Sequence, residues 1–200
     1  SPEEARRLKL ADEAQASYRA GKLAVASEKL RAAIAIRPTA LTLWALAQAE
    51  EALGEDEGAA KHRTAALALA RGGDEGAEGL RESLVTRAQL LLDDGKIVEA
   101  AAKLRDAVSI RKTADALRLL AVTEHRSHQY LAAKRHLDEA AALAAADGSD
   151  AEAAPIRELL AKVTPLLGKV RVVLPAGVSG ARVSVDGESV SPPGGAADVE

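Results

Sequence analysis

The 200-residue chain contains no cysteine, methionine, phenylalanine or asparagine, and aromatic residues make up 2% of it. Without cysteine there is neither a disulfide framework nor thiol chemistry, an absence that fits either side of a membrane. Without methionine the chain does not open on its own initiator, so we expect a processed or trimmed product, with removal of a signal peptide as one route. No apolar run approaches the ~18 residues of a membrane span, and no secretory signal is recognisable within the chain. An excess of one charge is also missing. Residues 1–167 carry 24 basic and 26 acidic groups and residues 168–200 carry 3 and 4, for a net charge of −3. Neither part is basic, which excludes the electrostatic footprint of a nucleic-acid binder.

What the chain does have is alanine, 46 residues of it, within a hydrophobic content of 48%. Alanine is the best helix former and loses no side-chain entropy on folding. An Ala- and Leu-rich, Phe-free chain therefore implies helices that approach one another closely.

The strongest internal signal is a duplication. Gly21 to Ala40 recurs as Gly95 to Ala114 at a constant offset of 74 residues, without a gap and with eleven of twenty positions identical. A unit that recurs intact is a stacking unit. Within it lies a shorter period. Ser1-Pro2-Glu3-Glu4 opens a first helix as a capping box with Pro at the first helical position. Gly21 ends that helix, and Ala26, Leu30, Ala33, Ile34 and Ile36 follow at helical spacing. Further pairs run from Leu43 through a turn at Gly54, from Ala77 through Gly95, and from Leu117 through His128. Each spans ~34 residues, the period of a two-helix repeat.

These pairs resemble tetratricopeptide repeats. Repeat one matches at Leu10, Ala14, Gly21, Ala26, Leu30, Ala33 and Pro38. Repeat two matches at Trp44, Gly54, Ala59 and Ala66, with Gln48 at a position that is usually small and a first helix one residue short. Repeat three matches at Leu84, Ala88, Gly95, Ala100, Leu104 and Ala107, with Lys112 in place of Pro. Repeat four matches at Leu117, Ala121, Ala133, Leu137 and Ala140, with His128 in place of Gly. The resemblance implies a mainly α fold, a right-handed α-α superhelical solenoid of about four helix pairs over residues 1–167. Asp147-Gly148-Ser149-Asp150 ends the eighth helix and caps a ninth. In that helix Ile156, Leu159, Leu160, Val163 and Leu167 form an apolar stripe suited to closing the array. The stretch Gly72-Gly73-Asp74-Glu75-Gly76-Ala77-Glu78-Gly79 reads as a mobile surface joint between the halves, with a hinge as the alternative.

From Gly168 the apolar period changes from helical to two. Lys169 to Leu174 and Ala181 to Val185 alternate as half-buried strands, and Asp186-Gly187 turns the chain into Glu188-Ser189-Val190. Together with Pro175 and Ser191-Pro192-Pro193, residues 168–200 resemble the first part of a PEGA domain, a small β-sandwich module. Val178-Ser179 is an insertion relative to that pattern. A few strands cannot bury an apolar face alone. This segment is expected to pack on the ninth helix or to pair with another chain.

Nothing in the chain assembles a catalytic constellation, so we expect no enzyme and no cofactor. His125 and His128 are three apart with His136 on the next helix, but zinc wants three or four convergent ligands, and solvated histidines are the expectation. No phosphate-binding loop follows a strand, and the acidic runs Glu50-Glu51 and Glu55-Asp56-Glu57 are expected to face solvent. Binding remains. In the resembled family the first helix of each pair lines a concave groove. By register that face carries Gln15 and Arg19, then Thr42 with Ala45 and Ala49, then Glu82 and Gln89, then Arg118, His125 and Arg126. An extended or helical peptide with an acidic end suits such a surface. The absence of asparagine excludes the carboxylate clamp of the family's chaperone-binding members. The resemblance implies a protein-interaction scaffold, with the bacterial periplasm or cell envelope as the favoured setting and the cytoplasm as the alternative. The alternatives are self-assembly through the β edge, or a cell-wall or glycan-anchoring β-module with the helices as spacer.

Overall fold

In a computed structural model of the protein, the described residues are 1–168 together with two short strands beyond them. Nine α-helices fill the first region: α1 (Pro2–Arg19), α2 (Leu23–Ile36), α3 (Ala40–Leu53), α4 (Asp56–Arg71), α5 (Ala77–Asp93), α6 (Ile97–Ile110), α7 (Ala114–Arg126), α8 (Tyr130–Ala146) and α9 (Asp150–Val163). Each of α1–α2, α3–α4, α5–α6 and α7–α8 is a helix hairpin. The hairpins stack in chain order, and α9 closes the stack against α7 and α8. Helices α2, α3 and α4 begin at residues 23, 40 and 56, and α6, α7 and α8 begin at 97, 114 and 130, so each start recurs after 74 residues.

The turns explain the hairpins. The turn within each pair contains one residue with a left-handed backbone, which glycine adopts without a Cβ penalty. Gly54 does so at φ 79°, and His128, the residue 74 positions on, is forced into the same conformation at φ 61°. Thr39 caps α3 in a reciprocal box with Thr42, whereas Ser1 makes only half of its expected box. Ser1 Oγ accepts from the Glu4 amide at 3.2 Å, but the Glu4 carboxylate turns to Arg7 and Arg37 instead.

Alanine holds the pairs together by proximity. Ala14, Ala26, Ala33, Ala88, Ala100, Ala107, Ala121, Ala133 and Ala140 are all buried at the helix crossings. Burying a Leu contributes roughly 2 kcal/mol, and each methyl group of an Ala well under half of that. The burial energy therefore comes from Leu80, Leu84, Leu104, Leu117, Leu120 and Leu137, while the alanines let the backbones come close enough to use it. One core cluster runs from Ala40 on α3 to Leu120 on α7 without interruption, and a second joins α7, α8 and α9 through Leu137, Ile156 and Val163.

Two expectations need correction. Repeat two is not a residue short: Ala47 is buried and Gln48 exposed, so the matching positions are Leu43, Ala47 and Gly54, spaced as Leu117, Ala121 and His128 are. The Gly-rich joint is also tied down. Asp74 Oδ2 accepts from the Ala40 amide at 2.8 Å and the Gly76 amide at 2.9 Å. Glu75 Oε1 accepts from both Arg7 and Arg37. A Cβ on Gly76 would stand 3.0 Å from the Leu41 backbone nitrogen, so a glycine is needed there for close approach. A continuous core cluster crosses this joint from α3 to α7.

Beyond residue 168 the strands Val183–Val185 and Glu188–Val190 pair antiparallel, with Val183 opposite Val190 and Val185 opposite Glu188. The rest of 169–200 lies outside the described residues, and so does the proposed packing of this segment on α9.

Candidate binding cleft

The first helices of the pairs form an inner row in which α3 meets α5, α5 meets α7 and α7 meets α9. Helix α1 meets α3 over fewer residues than these, and a cleft of about 460 Å³ opens between them. Its construction follows from two helical faces. Ala11, Ala14, Gln15 and Tyr18 lie on one face of α1, and Leu41, Ala45 and Gln48 lie on one face of α3. The small side chains make the floor, joined by Leu30 from α2 and an edge of Trp44, and Ser83 of α5 closes the far end. Tyr18 and Leu41 remain 40% and 45% exposed, so the cleft presents apolar surface to solvent. Asp12, Gln15, Arg19 and Gln48 provide the polar rim.

The residues expected to line a groove do not all share this cleft. Gln15, Arg19 and Thr42 do. Thr42 is buried, and its hydroxyl is spent in the cap of α3, donating to the Thr39 carbonyl at 3.1 Å. Glu82 and Gln89 are exposed on α5 outside the cleft. Arg118 on α7 is half-buried and pairs with Asp115 at 2.6 Å. Arg126 donates to the Leu92 carbonyl at 3.3 Å, which also accepts from the Gly95 amide at 3.1 Å, near the C-terminus of α5 where positive charge is favourable. His125 leans on the Tyr130 ring, centroids 5.8 Å apart. The cationic end of the inner face is thus engaged internally, and Arg19 is the exposed cation of the cleft.

Tyr18, Leu41, Gln48 and Ser83 were not among the expected site residues. Leu41 carried a signal: a large apolar residue two positions after a cap, one helical turn before Ala45, had no helix of its own pair left to cover it. Trp44, by contrast, sits under Arg63 and Lys103, whose cations stand 5.7 and 5.3 Å from its ring centroid. No group of three or more His, Asp and Glu side chains among the described residues could hold a metal ion. No helix among them is long and apolar enough to cross a membrane.

No protein-family model matches the sequence, and no curated protein matches it. Among solved structures, the chain is similar to one described as a functional characterisation of Pseudomonas aeruginosa pilF, at 17% identity and a TM-score of 0.44, covering 82% of this chain and 78% of that one. It is also similar to the C-terminal part of a TPR repeat-containing protein from Cytophaga hutchinsonii, at 14% identity and a TM-score of 0.43, covering 80% of this chain and 67% of that one.

Proposed function

We propose that the protein is a non-enzymatic interaction scaffold that holds a peptide segment of a partner protein in the cleft between α1, α3 and α5. The observation that carries this reading is the cleft itself. It combines an alanine floor, two large apolar side chains held open to solvent and an exposed cation, Arg19, at its rim. An apolar anchor residue would fill the floor between Tyr18 and Leu41, where burial provides the affinity. An acidic residue of the same peptide would face Arg19, which sets orientation more than strength. The C-terminal residues 168–200 are read, on their resemblance alone, as part of a PEGA-like module that places this binding in the bacterial cell envelope. The two paired strands flanking Asp186-Gly187 support a hairpin at that point.

Selection of displayed peptides on the intact chain tests the reading. We expect the enriched peptides to combine an apolar anchor with an acidic residue. Tyr18→Ala and Arg19→Glu, both at exposed positions, should weaken them about tenfold or more. Peptides that bind both variants as well as the unaltered chain would place recognition elsewhere.

A further inference from the structure

Adding 74 to a residue number lays the first half of the array on the second, and one of the differences between the two copies falls beside a buried carboxylate and a guanidinium. In the first half, Glu50 of α3 is buried, and its carboxylate is fully used. Its Oε1 accepts from Arg31 Nη2 at 3.0 Å and its Oε2 accepts from His62 Nδ1 at 2.7 Å. Arg31 Nη2 donates in addition to Glu55 Oε2 at 2.9 Å, so its guanidinium bridges two carboxylates.

The second half repeats the buried part. Glu124 of α7 is buried, and its Oε2 accepts from His136 Nδ1 at 2.7 Å. Arg105 occupies the position of Arg31, but the position of Glu55 is held by Gln129. No carboxylate reaches Arg105 among the described residues. Instead a cleft of about 520 Å³ opens between α6, α7 and α8, lined by Arg105, Lys112, Glu124, Gln129, Arg135 and His136. Arg105, Lys112 and Arg135 are permanent cations and Glu124 is an anion; Lys112 is already paired with Glu139, and Arg105 is the cation that matches Arg31. Its walls include the second helices of two pairs, so it lies apart from the cleft on α1, α3 and α5.

We propose that this outer cleft receives an acidic side chain of a protein partner, seated on Arg105 as Glu55 is seated on Arg31. The first half of the same chain supplies the pattern: one guanidinium shared between a buried carboxylate and a second carboxylate arriving from the solvent side. The second half keeps the guanidinium and the buried carboxylate without the bond between them that Arg31 and Glu50 make, and lacks the second carboxylate. Gln129 stands in its place with an amide that can donate to an incoming carboxylate, which a glutamate there could not do. A singly charged carboxylate fits better than a phosphate, because the buried Glu124 repels a dianion more strongly than a monoanion.

The test is a nuclear magnetic resonance titration of the full chain with a triglutamate peptide at low ionic strength. The expected result is saturable shifts at the Arg105 guanidinium and Gln129 amide resonances. Gln129→Glu, which supplies the missing carboxylate from within, should weaken binding about tenfold or more and leave the thermal midpoint unchanged or raised. Arg105→Ala, at an exposed position, should weaken it as much. The Arg19→Glu change on the other cleft should leave the titration as it was, which separates this site from the proposed peptide groove. Absence of shifts, undiminished affinity in Gln129→Glu, or saturation by inorganic phosphate but not by triglutamate would each overturn the proposal.

Discussion

Ser27 is buried in α2, and its hydroxyl finds no hydrogen-bond partner. The equivalent residue of the second copy is Ala101, also buried, so the fold has already tried the apolar solution at this spot. An unsatisfied buried hydroxyl costs more than a bonded one contributes. Ser27→Ala should therefore raise stability by about 1 kcal/mol in a urea titration, with helix propensity acting in the same direction. His128 is the mirror case. Its φ of 61° costs about 1 kcal/mol relative to glycine, against which its Nδ1 contact with the Tyr130 hydroxyl at 2.6 Å is exposed and weak. His128→Gly should raise stability by roughly 0.5 kcal/mol. Loss of stability in either variant would mean that the two copies have adapted to different surroundings.

At the scale of elements, the critical joint is the start of α3. Its Ala40 amide is satisfied by Asp74 from the connection between the halves, 34 residues away, and Gly76 of the same connection packs against Leu41. Asp74→Ala should cost about 1 kcal/mol, as loss of a helix cap does. Gly76→Ala should cost about 1–3 kcal/mol, because its Cβ would press on backbone that cannot yield as a side chain does. Both are read from thermal denaturation of the intact chain. A Gly76→Ala protein as stable as the parent would show that α5 can start further from Leu41 than it does. The sequence marked this stretch only as Gly-rich and acidic. Its role as a cap on a distant helix came from residues that meet only once the two hairpins are stacked.

Across the whole molecule, a charge network recurs with the fold. Glu4, Arg7 and Arg37 interact in the first half as Glu78, Arg81 and Arg111 do in the second, 74 residues on. Hydrogen bonding by Arg7 holds the Glu4 carboxyl below its ordinary value of 4.5, and Arg81 does the same to Glu78. Lys29 and Lys162 act likewise on Glu13 and Glu158. A carboxyl whose pKa is lower in the folded chain contributes stability above its unfolded value and loses it as pH falls through the folded value. Asp106 opposes this trend, since burial pushes its carboxyl above the ordinary 3.8 against the pull of Lys103, Arg63 and Arg71. Four groups are lowered and one is raised among the described residues, and the lowered set is expected to dominate. The urea midpoint should fall as pH drops below about 4.5, and high salt should flatten the fall because the carboxylates of the pairs remain accessible to solvent. A midpoint that holds steady or rises between about pH 5 and pH 3 at low salt would refute the network's contribution.

The sequence by itself determined the helices, their pairing and their period. Those follow from local rules, and the local rules agree with one another along the chain: alanine and leucine at helical spacing, glycine or a strained histidine at the turn within each pair, threonine or serine at the caps of α1, α3, α7 and α9. It located Gln15 and Arg19 on the inner face by register alone. Tertiary structure decided which parts of that face stay open. Arg118, Arg126 and Thr42 look equally available in sequence, yet each finds a partner within the fold, while Leu41 and Tyr18 remain uncovered because α1 stands off from α3. It also decided what separates the two copies. Arg31 and Arg105 are identical in sequence, and only the packing of α3–α4 and α7–α8 shows that one guanidinium is satisfied and the other lines an open cleft. Helix formation depends on neighbours three and four residues apart, whereas satisfaction of a charge depends on groups brought together from helices tens of residues apart.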